Sequence, residues 1–378
     1  MSPAEQLAFA MKRIYEKRLT TTSGGNLSIR EDDGSIWITP AAIDKGNLTP
    51  EDMVCLRPDG TVEGRWRPSS ELPFHANIYR LRPDLRAVIH GHPAGLLAAS
   101  MVRKCPDTAL LPAVGAVCPG VELAAYAVPG SELLGEYIGR CFADGCDLVL
   151  LENHGVCVGG GDLAEAFCRF ETLEYAANLE ILANRLGKPR TAAGEAPKKT
   201  AALDGEAPEL TAMVRRADRQ GLFTAALGCC SLRGVGTMGA DGVLRENSEL
   251  HEAIYAADPE VNAMFEAQPL HAMAFAVTGA EYDTRAIPES YVLLRDLLRL
   301  PADASDQEIA AALKETAPAA LVENRCALVI GKDLTQAFDR LEVLETTAKA
   351  LIDTAALGEI VRIRQPQIDE IKAVFRLP

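Results

Sequence analysis

Residues Leu151–Glu174 read LENHGVCVGGGDLAEAFCRFETLE, and residues Val322–Glu345 read VENRCALVIGKDLTQAFDRLEVLE. Set against each other without a gap, they agree at 12 of 24 positions, among them Glu152/Glu323, Asn153/Asn324, Asp162/Asp333, Phe167/Phe338 and Glu174/Glu345. Unrelated segments of ordinary composition share only about one or two. The agreement continues toward the N-terminus in the same order. Ile78-Tyr79 and Pro83 match Ile254-Tyr255 and Pro259, Ser70-Glu71-Leu72 matches Ser248-Glu249-Leu250, and Gly25–Arg30 (GNLSIR) matches Gly228–Arg233 (GCCSLR). Matches kept in order across both halves mark a duplicated domain.

A chain of 378 residues suits two domains. After Leu186-Gly187-Lys188-Pro189-Arg190 comes TAAGEAPKKTAALDGEAPE, a stretch of Ala, Gly, Pro and charge that reads as a linker. The first domain is therefore placed at 1–188, the linker at 189–208 and the second domain at 209–378.

Hydrophobic periodicity supplies the elements of the first copy. Leu7, Ala8, Met11, Ile14 and Tyr15 recur at helical spacing within Ala4–Lys17. Ser35–Thr39 alternates as a strand does. Glu71–Leu81 reads as a helix with Pro83 beyond it, and Arg86–His92 and Leu148–Leu151 as strands. Asp162–Leu186 reads as a long helix capped by Asp162. Interleaved strands and helices place the fold in the mixed α/β (α+β) class.

Lys+Arg number 38 and Asp+Glu 53, a formal net charge of −15. Such a surface repels nucleic-acid phosphates and anionic lipid, so neither is an expected partner. The start Met1-Ser2-Pro3-Ala4-Glu5 lacks a basic then apolar leader, and there is no run of about 18 apolar residues. The ten cysteines form no Cys-x-x-Cys pair and are expected to be reduced, in a cytoplasmic protein.

Of six histidines, three fall at suggestive places. His90 and His92 lie in AVIHGHP, and side chains two apart on a strand face the same side. His154 follows the apolar run Leu148–Leu151 and precedes Gly155. Three imidazoles with an open position are a catalytic zinc pattern. The plainer alternative is three ordinary histidines.

Five strings carry a resemblance: SGGNLSIR at Ser23–Arg30, ITPAAIDKGNLTPEDMV at Ile38–Val54, PSSELPFHANIY at Pro68–Tyr79, AVIHGHP at Ala87–Pro93 and ENHG at Glu152–Gly155. In order and spacing they resemble the class II aldolase/adducin family, across essentially all of residues 1–186. The resemblance implies two tandem domains, each a central, mostly antiparallel sheet flanked by helices. It implies one Zn2+ per chain held by His90, His92 and His154, with Glu71 as acid/base. It implies phosphate contacts at Gly25, Asn26, Ser69 and Ser70. Such contacts suit a dianion, since turn and helix-start N–H groups with hydroxyls hold it without net positive charge. Ser69 or Ser70 can equally serve as a helix cap. Ala41-Ala42 departs from the family, which often has a hydroxyl residue and glycine there.

At the matching positions the second copy has Glu266 for His90, Gln268 for His92, Arg325 for His154 and Cys229 for Asn26, with Glu249 kept for Glu71. It is expected to hold no metal. The family's aldolases borrow a tyrosine from a neighbouring subunit. The first copy has no tyrosine in Pro112–Val117, whereas Tyr291 follows Pro288, which matches Pro112. Tyr291 is therefore a candidate catalytic tyrosine, lent within a homo-oligomer such as a dimer forming a pseudo-four-fold ring. The alternative is a half-buried packing tyrosine.

The resemblance implies an enzyme acting on a small sugar phosphate. It would cleave a ketose 1-phosphate through an enediolate to dihydroxyacetone phosphate and an aldehyde. Epimerase or dehydratase chemistry is the alternative within the family, and an adducin-like scaffold the alternative outside catalysis. The family's 4-epimerases carry Asp where this chain has Glu71, which favours the aldolase or the dehydratase.

Overall fold

The computed structural model describes residues 1–191, 196 and 198–377. It divides into two compact units, Met1–Thr108 with Val117–Ala177, and Ala109–Ala116 with Asn178–Pro378. The boundary falls inside a helix. The linker assigned to 189–208 lies partly outside the described residues. Its described end is tied down, with Leu203 N donating to Leu244 O at 2.9 Å.

The first copy contributes strands β1 (Asn26–Arg30), β2 (Ile36–Ile38), β3 (Val54–Leu56), β4 (Val62–Glu63), β5 (Ala87–Gly91), β6 (Glu122–Ala124), β7 (Leu148–Leu151) and β8 (Gly155–Gly160). Its helices are α1 (Pro3–Glu16), α2 (Leu72–Leu81), α3 (Ala94–Met101), α4 (Pro112–Val117), α5 (Glu132–Ala143) and α6 (Leu163–Leu186). The strands form one sheet in the order β4-β3-β2-β1-β5-β8-β7-β6. All its ladders are antiparallel except β6 with β7.

Local chemistry explains these elements. Ser2 and Glu5 cap α1 reciprocally, Ser2 Oγ accepting from Glu5 N and Glu5 Oε2 from Ser2 N. The apolar run LVLL of β7 is buried at every residue because β7 sits between two strands with both faces covered. On one face the sheet packs Ile38, Val88, Val149 and Leu151 against Ile78 of α2 and Ile138 and Phe142 of α5.

The second copy repeats this plan. Its strands are β9 (Cys229–Leu232), β10 (Gly236–Gly239), β11 (Leu244–Arg245), β12 (Ala263–Ala267), β13 (Leu298–Leu300), β14 (Ala319–Val322) and β15 (Cys326–Gly331). Its helices are α7 (Pro208–Arg219), α8 (Glu249–Ala257), α9 (Leu270–Thr278), α10 (Pro288–Leu294), α11 (Asp306–Ala312), α12 (Leu334–Thr354) and α13 (Gln365–Phe375). The sheet order is β11-β10-β9-β12-β15-β14-β13, again antiparallel apart from one parallel edge pair, β13 with β14.

One polar device fixes the correspondence between the copies. Tyr79 Oη lies 2.7 Å from Ser28 Oγ, and Tyr255 Oη lies 2.7 Å from Ser231 Oγ. Arg30 covers the Tyr79 ring and Arg233 the Tyr255 ring, each guanidinium also donating to carbonyls after the helix. The two halves are thus one mixed α/β fold, used twice.

Candidate active site

Strand β5 carries His90, and His92 follows two residues on, so both imidazoles emerge on one side of the sheet. His154 comes from the tight turn between β7 and β8, where Asn153 has φ +54° and Gly155 φ +151°. A side chain at Gly155 would strike the Gly91 carbonyl and the His92 ring, so the turn comes close only with glycine there. The three ring centroids lie 4.7, 4.9 and 5.1 Å apart, and one nitrogen from each lies within 4.8 Å of the others.

Tautomers follow from the partners. His90 Nδ1 stands 2.9 Å from the Val156 carbonyl, which can only accept, so Nδ1 carries the proton and Nε2 turns its lone pair inward. Nε2 of His92 is 3.0 Å from Nε2 of His90. Burial, with neighbouring His154, depresses His90 to about 3. Burial, with His90 and His154, does the same to His92. His154 is lowered as well, again chiefly by burial. Three neutral imidazoles converging in a desolvated site are a donor set that fits a divalent metal.

Glu71 joins them from the residue capping the start of α2, one position before the helix rather than inside it. Its Oε2 lies 3.3 Å from His90 Nε2 and its Oε1 3.8 Å from His154 Nε2. Asn26 Nδ2 donates to Oε2 at 2.6 Å. Asn26 pairs with His90 across β1 and β5, so strand register sets this contact.

Beyond Asn26 lies a chain of buried polar groups that the sequence reading missed. His75 Nε2 is 2.5 Å from Asn26 Oδ1, its Nδ1 is 2.7 Å from Ser28 Oγ, and Ser28 Oγ meets Tyr79. His75 is wholly buried, and burial first, then His90, pushes its pKa far below the usual range. The available signal was His75-x-x-x-Tyr79 repeated as His251-x-x-x-Tyr255, four apart on one helix face in both copies.

The remaining first-copy candidates fall around this centre. Gly25 has φ +72°, and a Cβ there would sit 2.7 Å from His90 O, so the glycine turn lies directly against the histidine strand. Ser69 Oγ accepts from Glu71 N at 3.3 Å, a positioning bond, while Ser70 is exposed. Asn26 spends both ends of its amide on Glu71 and His75. Ala42 takes φ +53°, keeping the left-handed turn without the glycine the family often has there.

Tyr291 belongs to the second unit and is 4% exposed on α10, with Arg285 over its ring at 5.8 Å. Pro112 and Pro288 both open helices, α4 and α10, as their matching suggested. Counting from the anchoring tyrosines corrects one pairing. Glu71 lies eight residues before Tyr79, and eight before Tyr255 stands Asn247, with Glu249 two residues further on. The second unit's counterparts of the imidazoles are Glu266, Gln268 and Arg325, so the three-histidine cluster has no equivalent there.

The profile of the Class II Aldolase and Adducin N-terminal domain matches residues 5–181 and 238–352. The chain belongs to the class II aldolase and adducin family. The chain is an enzyme of the class II, metal-dependent aldehyde-lyase type. It is 33% identical over 189 residues to a 5-deoxy-D-ribulose 1-phosphate aldolase of Bacillus thuringiensis serovar kurstaki, covering 49% of this chain and 87% of that one. An L-fuculose phosphate aldolase of Methanococcus maripaludis is 33% identical over 173 residues, 46% of this chain and 93% of the relative. A 3-oxo-tetronate 4-phosphate decarboxylase of Haemophilus influenzae is 33% identical over 172 residues, 44% of this chain and 81% of the relative. No helix among the described residues is long and apolar enough to cross a membrane.

Proposed function

We propose that the first unit cleaves a ketose 1-phosphate to dihydroxyacetone phosphate and an aldehyde, with zinc held by His90, His92 and His154. The observation that carries this reading is the Glu71 carboxylate at 3.3 Å from His90 Nε2, inside the imidazole cluster and held by Asn26. When bound, zinc supplies Lewis-acid polarisation of the substrate carbonyl. Cleavage breaks the bond between C3 and C4. Glu71 as the carboxylate takes the C4 hydroxyl proton, C4 becomes the aldehyde carbon, and the bonding pair passes into the three-carbon enediolate. Glu71 then delivers a proton to C3, or removes it in the synthetic direction. Asn26 keeps the carboxylate aimed, and Gly25, Asn26, Ser69 and Ser70 are assigned to the phosphate through backbone N–H and hydroxyl groups.

A second reading keeps the same electron sink. The decarboxylase relative is as similar to the chain as the two aldolases are. Loss of carbon dioxide beside a ketone leaves the same kind of enediolate for Glu71 to protonate. We further propose a cytoplasmic homo-oligomer, a dimer forming a pseudo-four-fold ring or a larger assembly; ten free cysteines suit a reducing compartment.

The test is a panel of ketose 1-phosphates and 3-oxo acid phosphates offered to the zinc-loaded full chain. Aldehyde and dihydroxyacetone phosphate from the former support the aldolase, and carbon dioxide from the latter alone replaces it by the decarboxylase.

A further inference from the structure

In the first unit, Asn26 bonds His75 through its side chain and pairs with His90 across β1 and β5. In the second unit the corresponding residues are Cys229, His251 and Glu266, on β9, α8 and β12. An amide has become a thiol, which adds a metal donor, an imidazole has become a carboxylate, which keeps one, and the helix histidine is kept. One donor atom from each of the three lies within 4.8 Å of the others, the closeness also met by His90, His92 and His154.

We propose that Cys229, His251 and Glu266 form a second metal site, for a zinc-type divalent cation, in the unit without the three-histidine cluster. This goes beyond the reading of the first unit and does not depend on it.

Unpaired atoms point to a missing occupant. His251 is 1% exposed and its Nε2 makes no well-aligned hydrogen bond; it stands 3.4 Å from Glu266 Oε2, close enough for an ion pair if the ring is charged. Glu266 Oε1 is buried without a partner. Leaving such groups desolvated and unpaired is costly, and a shared cation would satisfy both. His251 Nδ1 faces Thr237 Oγ1 at 3.1 Å, a neighbour of the kind that orients a ligating imidazole.

The donor chemistry agrees. Thiolate, imidazole and carboxylate are all zinc ligands, and three of them leave a position open. Thiolate and carboxylate together neutralise a dication. Arg325, which sits where the first unit has His154, opposes a cation there, but its guanidinium is paired with Asp306 at 3.2 Å. Burial, with Glu266 beside it, holds the Cys229 thiol well above its usual pKa, so a metal binding there would displace the thiol proton. A route in exists: Glu266 lines a pocket of about 580 Å³ together with Glu249, Asp306, Glu323 and Arg325.

Cobalt is the probe, because a cobalt–thiolate bond gives a near-ultraviolet charge-transfer band that three imidazoles do not. The full chain is loaded with Co2+, freed of excess, and its metal content and absorption are measured. The expected result is two cobalt ions per chain with the charge-transfer band. His92→Ala should lose one ion and keep the band. Cys229→Ser should lose the other ion and the band, with far-ultraviolet circular dichroism unchanged. One cobalt per chain without the band in the unmutated protein overturns the proposal, and so does a band that survives Cys229→Ser.

Discussion

The side-chain amide of Asn26 donates to Glu71 Oε2 at 2.6 Å, fixing the carboxylate 3.3 Å from His90 Nε2. A carboxylate so placed can carry a proton, whereas an amide cannot. Glu71→Gln should keep the metal and lower turnover by roughly 10²–10⁴-fold. Metal analysis and steady-state kinetics on the one variant check both halves of this statement. Full activity would move the proton transfer to another group.

His75 holds the far end of the same amide. His75→Phe would leave Asn26 Oδ1 and Ser28 Oγ short of a partner in a dry site, at about 1–3 kcal/mol for each orphaned group. Urea unfolding should show a loss on the order of 2–4 kcal/mol, together with lower turnover because Asn26 no longer steadies Glu71. An unaltered midpoint would mean that the relay supports neither fold nor site.

Much of this was readable in the chain because the signals were local or repeated. The motif His90-x-His92 lies at a strand end, and ENHG supplies His154 after a buried strand. GNLSIR and GCCSLR sit on β1 and β9, where Ser28 and Ser231 meet the anchoring tyrosines. The Asn26–His75–Ser28 contacts were harder to see, because they join residues 47 and 49 positions apart that meet only once α2 packs over β1. Glu249 was matched to Glu71 from a three-residue string. The helix register, set by Tyr79 and Tyr255, puts Asn247 there instead. The gathering of Cys229, His251 and Glu266 needed three elements to meet, and no spacing rule announces it.

The buried thiols predict how stability varies with pH. Burial raises Cys118 and Cys230 to about 12 and Cys141 to about 11, from an ordinary value of 9. Above pH 9 the unfolded chain gives up these protons while the folded chain keeps them. The unfolded state then binds fewer protons, and stability falls as pH rises from 9 toward 11. Each such thiol contributes a slope of about 1.4 kcal/mol per pH unit in that window. Cys118→Ala should make the fall shallower by about that amount; an unchanged slope would contradict the assignment.

Tyr291 is buried in the second unit, so packing accounts for it within one chain. The lent-tyrosine proposal requires its hydroxyl to serve a neighbouring copy. Tyr291→Phe keeps the ring and removes that hydroxyl. A large fall in turnover at unchanged thermal stability and unchanged oligomer size, read by light scattering, supports a shared site. Unchanged turnover leaves Tyr291 a packing residue.

The proposed function requires the first unit's imidazole cluster and Glu71 to move a proton at the carbon beside a phosphorylated ketone. The most direct measurement is deuterium incorporation into dihydroxyacetone phosphate in heavy water, followed by nuclear magnetic resonance with no aldehyde present. The zinc-loaded chain should exchange one of the two hydroxymethyl hydrogens. His92→Ala should not exchange, and Glu71→Gln should be slowed by at least about 10²-fold. Exchange that persists at the full rate in either variant, or no exchange by the zinc-loaded unmutated chain, would contradict the account.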